Sequence, residues 1–352
     1  MRAVGMKAVL ATVVVGGLLV GCSSSSDGDG GGAAKEDGSR SQVIGAAEGD
    51  GPSAAPSALA DGMGADTDED GSFPRTVKHF QGSTTLEAEP EKIAVLSTGQ
   101  LDDLLSLGIV PTATTRADNA GLVPDYLADA FPRDKARLSG MTDAGTRQAP
   151  NLETLAAAKP DLILANDSLG ELYPKLSKIA PTVITAGNGI NWKRDLLLVG
   201  EAVGKGRQAR KLLADIVAEA GKKGQTIEGA PAVSMVRFTP DRTRMFGVSS
   251  FTGSLAVDMG LKRPASQRFN AISEDIGPES VDTADGDWIF YSVQGDAAKT
   301  DAASVVAGPL WKSMKAVKAG HAVKVDDDPW YLNAGPAAAR LVISELAENL
   351  GR

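Results

Sequence analysis

A twelve-residue segment occurs twice, once in each half of the chain, and this repeat constrains the fold more than any other feature. Glu153-Thr-Leu-Ala-Ala-Ala-Lys-Pro-Asp161-Leu-Ile-Leu reappears as Glu279-Ser-Val-Asp-Thr-Ala-Asp-Gly-Asp287-Trp-Ile-Phe. In both copies a Glu opens a short helical turn, an Asp follows eight residues later, and an apolar strand comes next. Asn151 and Gly277-Pro278 are helix-start residues for the two copies. A Glu in a first helical turn favours the positive end of the helix dipole and needs no other role. The same spacing in both halves predicts two lobes of one architecture, with Glu153 and Glu279 at matching places.

Short β-rich runs alternate with helical patterns around the repeat. Ile93-Ala-Val-Leu96, Leu162-Ile-Leu164, Thr182-Val-Ile184, Val233-Ser-Met-Val-Arg237, Trp288-Ile-Phe-Tyr291 and Ala322-Val-Lys-Val325 read as strands. Leu101 to Leu107 reads as a helix closed by Gly108, and a last helix spans 335–350. The pattern predicts an α/β protein: two Rossmann-like lobes with largely parallel sheets. Between them, Ala209, Leu212, Leu213, Ile216, Val217 and Ala220 recur at helical spacing within 205–227. That helix, roughly 30 Å long, is either an ordinary core-facing helix or a rigid strut joining the lobes.

The first 21 residues have the form of an export signal: Arg2 and Lys7, an apolar run from Ala8 to Val20, then Gly21. The run is shorter than the roughly 20 residues a spanning helix needs. Leu19-Val20-Gly21-Cys22 resembles a bacterial lipobox, so Cys22, the only cysteine, is the expected lipidation site. Residues 22–72 are rich in Ser, Gly, Asp and Ala and read as a lipidated flexible tether with a reach of roughly 40 Å. Asp66-Thr-Asp68-Glu-Asp70-Gly71 matches the start of a calcium loop, but the closing position holds Val77, so it reads as a solvated acidic run. The expected organisation is signal peptide 1–21, tether 22–72, N-terminal lobe 73–204, connecting helix 205–227 and C-terminal lobe 228–352.

A net charge of −9 argues against nucleic acid as a partner. The sequence has no Gly-x-Ser-x-Gly elbow, paired-His metal motif or Gly-rich phosphate loop after a strand, so it does not read as an enzyme such as a lipid-anchored hydrolase. His79 and His321 stand far apart, and no metal site is expected.

From about Thr76 onward the chain resembles the substrate-binding proteins of iron–siderophore ABC importers. The resemblance rests on Pro90-Glu-Lys-Ile93-Ala-Val-Leu, Leu104-Leu-Ser-Leu-Gly108-Ile-Val-Pro111, Pro150-Asn-Leu-Glu153-Thr-Leu and Lys159-Pro-Asp161-Leu-Ile-Leu. In the second half it rests on Pro309-Leu-Trp311-Lys-Ser-Met-Lys-Ala-Val317-Lys-Ala-Gly320. It implies a monomeric receptor on the outer face of the cytoplasmic membrane, whose ligand lies between the lobes and carries its own iron, so that no cofactor is needed. It also implies that Glu153 and Glu279 dock onto an ABC permease dimer. Arg147-Gln-Ala-Pro150-Asn151 resembles the ferric hydroxamate-binding segment whose arginine contacts hydroxamate oxygens, and Trp330-Tyr331 resembles an aromatic loop of the second lobe. Arg237, Phe251, Phe269 and Asn166 complete the cleft candidates, while Trp311 reads as core. Leu169 stands where hydroxamate-binding members often carry a tyrosine. The resemblance points to a ferrioxamine- or ferrichrome-type ligand, with cobalamin, haem or ferric citrate on the same scaffold as the alternative.

Overall fold

The computed structural model describes residues 55–117 and 120–351. The signal segment, Cys22 and most of the expected tether lie outside the described residues. No helix among the described residues is long and apolar enough to cross a membrane.

Strand β1 (Gly64–Ala65), β2 (Arg75–His79) and β3 (Gly82–Leu86) form a small antiparallel sheet. The first lobe is a five-stranded sheet in the order β6-β5-β4-β7-β8, built from β4 (Ile93–Val95), β5 (Ala113–Arg116), β6 (Thr142–Thr146), β7 (Leu162–Asn166) and β8 (Thr182–Thr185). All its pairs are parallel. Its central strands are buried on both faces, as a sheet covered by crossover helices requires.

The second sheet has the equivalent order β11-β10-β9-β12-β13, with β9 (Val233–Phe238), β10 (Thr243–Phe246), β11 (Ser273–Ile276), β12 (Trp288–Val293) and β13 (Ala322–Lys324). Only β9–β12 and β12–β13 are parallel here; β9–β10 and β10–β11 are antiparallel. The sheet is therefore mixed, for a local reason. In the first lobe a helix crosses from β4 to β5, whereas residues 239–242 alone link β9 to β10, a connection too short for a parallel return.

The repeated aspartates do one job in both lobes. Asp161 accepts the N–H groups of Glu91 (2.9 Å) and Lys92 (2.9 and 3.0 Å), just before β4. Asp287 accepts the N–H of Ala232 at 2.8 Å, just before β9. Each copy thus fixes the entry of its lobe's central strand beside the strand that follows the repeat.

Helix α1 (Thr98–Ser106) follows β4, and α2 (Leu152–Ala158) carries the first copy of the repeat. The lobes meet along α3 (Trp192–Ala202), α4 (Gly206–Gly224), α5 (Phe251–Asp258) and α6 (Pro336–Leu350). The predicted connecting helix is present as α4, but it packs on α3, α5 and α6 and does not join the lobes alone. Gly224 is required where α4 meets the backbone of Met259, because a Cβ there would overlap the Met259 carbonyl. One apolar core runs from Ile93 and Leu104 through Leu196 and Leu213 to Phe290 and Leu346, so it belongs to both lobes. A smaller core lies beneath each outer sheet face. Trp311 is in that of the second lobe, as the sequence predicts.

The α1–α6 contact is made by a carboxylate. Asp102 accepts the N–H groups of Ala337 (2.8 Å) and Ala338 (3.0 Å) at the start of α6, and takes hydroxyl hydrogen bonds from Ser106 (3.1 Å) and Tyr126 (3.2 Å). No side chain of α6's own sequence caps it.

The expected tether is part of the fold from Ala55 onward. Ala55 is buried, and Gly71 N–H donates to the Gly204 carbonyl at 2.8 Å. The Arg75 guanidinium, 1% exposed, donates to the carbonyls of Glu69 (2.6 Å), Ser72 (2.9 Å) and Glu201 (2.8 Å). The carboxylates of the acidic run are exposed, as the sequence predicts, but the run is also a structural strap. Asp66 accepts Thr76 N–H at 2.9 Å, and Asp70 accepts Arg207 N–H (2.8 Å) and Gln208 N–H (3.2 Å). Lys205, at the N-cap of α4, cannot accept those bonds, so Asp70 supplies the cap from outside the helix. Asp70→Ala should lower unfolding free energy by about 1 kcal/mol in urea titrations. An unchanged midpoint would mean the strap contributes nothing to the fold.

Candidate functional site

The carboxyl ends of the first lobe's strands converge on a cavity of about 130 Å³ between the lobes. Ser97 after β4, Arg147 after β6, Asn166 at the end of β7 and Gly187 after β8 all reach it. This is where open parallel sheets bind ligands. A second cavity of about 70 Å³, lined by Phe246, Phe251, Thr252, Tyr331 and Asn333, is its counterpart on the other lobe. Gly189, Leu332 and Ala334 line both.

Arg147 is held by its loop. Its N–H donates to the Arg116 carbonyl at 2.9 Å, and Asn151 caps α2 through the N–H groups of Glu153 and Thr154. The guanidinium is half-buried at the cavity and interacts with neighbouring residues. Asn166 lines the same cavity, its Oδ1 accepting the Ser168 hydroxyl. Phe251, at the start of α5, is buried edge-on against Trp192, with ring centres 5.3 Å apart.

Of the other predicted residues, Trp330 borders the smaller cavity only from within the core, and Arg237 and Phe269 stand elsewhere. Trp330 is 0% exposed and stacks on Phe290 at 5.0 Å, with its indole N–H donating to Glu345 at 2.6 Å. It is a core residue at the back of the cavity, without a free ring face for a ligand. Adjacent side chains on the turn Asp328–Leu332 diverge, so Tyr331 alone of the pair is half-exposed. Its hydroxyl donates to the Phe290 carbonyl at 2.8 Å. Arg237 forms a two-pronged pair with Asp327 at 2.7 and 2.6 Å, reinforced by Ser292, and lines neither cavity. Phe269 is half-buried and lies outside both cavities. Glu153 and Glu279 are exposed, in the first turns of α2 and of the 3₁₀ segment Pro278–Ala284. Leu169 is buried in the first lobe's outer core.

The sequence reading passes over Gln100, Asp103, Asp195 and Asn333. Gln100 and Asp103, each 2% exposed, and Asp195 line the larger cavity. Asn333 lines the smaller one. Gln100 Oε1, Asp103 Oδ1 and both amide atoms of Asn333 are buried without a hydrogen-bond partner. The available signal is the pair of adjacent acids, Asp102-Asp103, on a helix that otherwise reads as core. Burial raises the Asp103 carboxyl well above the usual range, and the charges of Asp102 and Asp195 raise it further. Burial also lifts Asp195 to about 7, against the pull of the Gly187 and Ala186 N–H groups.

The sign of the pH effect follows. Between about pH 4 and 7 the folded protein keeps the Asp195 proton that the unfolded chain loses, so this group's stabilisation fades as pH rises through that window. His79, lowered to about 4 by burial, acts oppositely: its contribution is lost as pH falls from about 6.5. Comparison with Asp195→Asn isolates the first effect. The unfolding free energy of the parent protein minus that of the variant should decrease from pH 4.5 to pH 7.5. A constant difference would contradict a raised Asp195.

The family model "Periplasmic binding protein" matches residues 93–329. The probable siderophore-binding lipoprotein YfiY of Bacillus subtilis (strain 168) is 32% identical over 287 residues, covering 77% of this chain and 86% of that protein. The Fe(3+) dicitrate-binding periplasmic protein FecB of Escherichia coli (strain K12) is 27% identical, over 78% of this chain and 89% of its own. The crystal structure of Staphylococcus aureus SirA complexed with staphyloferrin B superposes with a TM-score of 0.69 at 27% identity, covering 78% of this chain and 98% of that one. With its two matching lobes and a cleft at their strand ends, the chain belongs to the periplasmic binding protein family and is a binding protein, not an enzyme.

Proposed function

We propose that the protein captures a ferric siderophore as a finished chelate and delivers it to an ABC permease, and that the chelate is a hydroxamate of neutral or positive charge. The kinship with siderophore-binding proteins supports the first part. The charge of the cleft carries the second. Among the described residues Arg147 is the one cation lining the two cavities, which also hold the carboxyls of Asp103 and Asp195. The nearby Arg237 is tied to Asp327. Three hydroxamates, each singly negative, neutralise Fe³⁺, whereas three catecholates leave a charge of −3 and citrate chelates are also anionic. An anionic chelate calls for several free guanidinium or ammonium groups. A neutral one needs apolar contact and a single strong donor, and Phe251, Tyr331 and Arg147 offer these.

In this reading Glu153 and Glu279 are the permease contacts. They are exposed, and they occupy equivalent places because Asp161 and Asp287 hold the two copies of the repeat alike. Exposed carboxylates of this kind set register and partner choice more than affinity. Lipidation at Cys22 would keep the receptor at the outer face of the cytoplasmic membrane.

Fluorescence titration with ferric trihydroxamate, tricatecholate and citrate chelates tests the ligand class. Saturable quenching should appear at the lowest concentration with the trihydroxamate, and tighter binding of either anionic chelate would overturn the assignment. Arg147→Ala should weaken binding by roughly ten- to a hundredfold, the scale of a hydrogen bond from a charged group. The double variant Glu153→Ala, Glu279→Ala should bind the chelate normally yet fail to support uptake in cells; normal uptake would rule out docking through these residues.

A further inference from the structure

We infer that the floor of the cleft at α1 is a subsite for a primary ammonium group carried by the chelate, received by Gln100 and Asp103. The inference deepens the hydroxamate reading and rests on it.

Gln100 and Asp103 are three residues apart and share a face of α1. Both side chains line the larger cavity and are buried, and each holds one oxygen without a hydrogen-bond partner. The orientation of the Gln100 amide is fixed. Its nitrogen donates to the Ala165 carbonyl (2.9 Å) and the Thr185 hydroxyl (3.2 Å), which leaves Oε1 as the free atom. What these two oxygens lack is therefore a donor. A buried acceptor without a partner costs roughly 1–3 kcal/mol, so the arrangement favours a ligand that supplies donors. A primary ammonium supplies three and accepts none.

Charge selects the ammonium over a neutral hydroxyl. Asp195 borders the same cavity, its carboxylate taken up by the Gly187 and Ala186 N–H groups. Two carboxyls stand against one guanidinium, that of Arg147, which projects from the loop after β6. With both acids ionised the cavity holds an excess of negative charge. Burial and the adjacent Asp102 and Asp195 raise the Asp103 carboxyl well above the usual carboxylate range, and a cation at the floor would oppose that shift. An arriving ammonium favours the carboxylate form of Asp103, any proton on it leaving to solvent. Arg147 would then hold the iron-wrapping oxygens and α1 the pendant amine, which fixes one orientation of an otherwise neutral chelate.

The test compares a linear ferric trihydroxamate ending in a free ammonium with its N-acetyl derivative, which has the same iron centre and no pendant charge. The protein should bind the ammonium form at least about tenfold more tightly, as charge-assisted hydrogen bonds of this kind allow. Asp103→Asn, and separately Gln100→Leu, should each reduce that preference. Equal affinity of the unsubstituted protein for the two chelates would overturn the inference and leave the hydroxamate reading standing. Binding of neither chelate would overturn the hydroxamate reading itself, and the subsite with it. A preference that survives in both folded variants would place the amine away from α1 and overturn the assignment of these residues.

Discussion

The cap that Asp102 places on the last helix is the interaction on which the rest of the molecule depends. It joins α1, from the first lobe, to α6, at the far end of the sequence, through two backbone N–H bonds. Neither helix can then follow one lobe alone, and the shared apolar core lies beneath the joint. The close approach also has a local cost. A Cβ on Gly99 would meet the Ala334 carbonyl at 2.8 Å, and one on Gly335 would meet the Asp102 side chain at about the same range. The next residue along α1, Asp103, is buried where it lines the cleft, its Oδ1 without a hydrogen-bond partner. The bond that unites the lobes thus also creates the desolvated acid at the cleft floor.

The lobes are near-copies with one informative difference. Their sheets share a strand order, and their repeated aspartates hold equivalent strand entries. The short link between β9 and β10 reverses half of the second sheet. The exposed edge strand β11 carries Glu274 and Asp275, and a charged edge resists pairing with another chain.

The legible parts of the sequence were those fixed by apolar burial. The strands at Ile93, Leu162, Thr182, Val233 and Trp288 are deeply buried and appear as apolar runs, and the apolar face of α4 has a clear helical period. Strands β5, β6, β10 and β11 are rich in Thr, Arg, Asp and Glu and give no such signal. The strap from Ala55 is invisible for the same reason: carbonyl bonds to Arg75 and the Asp70 cap hold it, and composition does not report these. In the cleft, Arg147, Asn166, Phe251 and Tyr331 reach the cavities. Asp327, which ties up Arg237, and Phe290, which covers the Trp330 ring, are far along the chain from them and cannot be inferred locally. Gln100 and Asp103 are hidden differently, since polar residues on an amphipathic helix read as its wet side, and here that side faces the ligand space.

The strap has a mechanical consequence. Chain arriving at Ala55 meets the protein beside Leu197 of α3 and Leu213 of α4, before the strap reaches the start of α4 through Asp70 and Gly71. A pull along that chain is borne by the helical spine common to both halves.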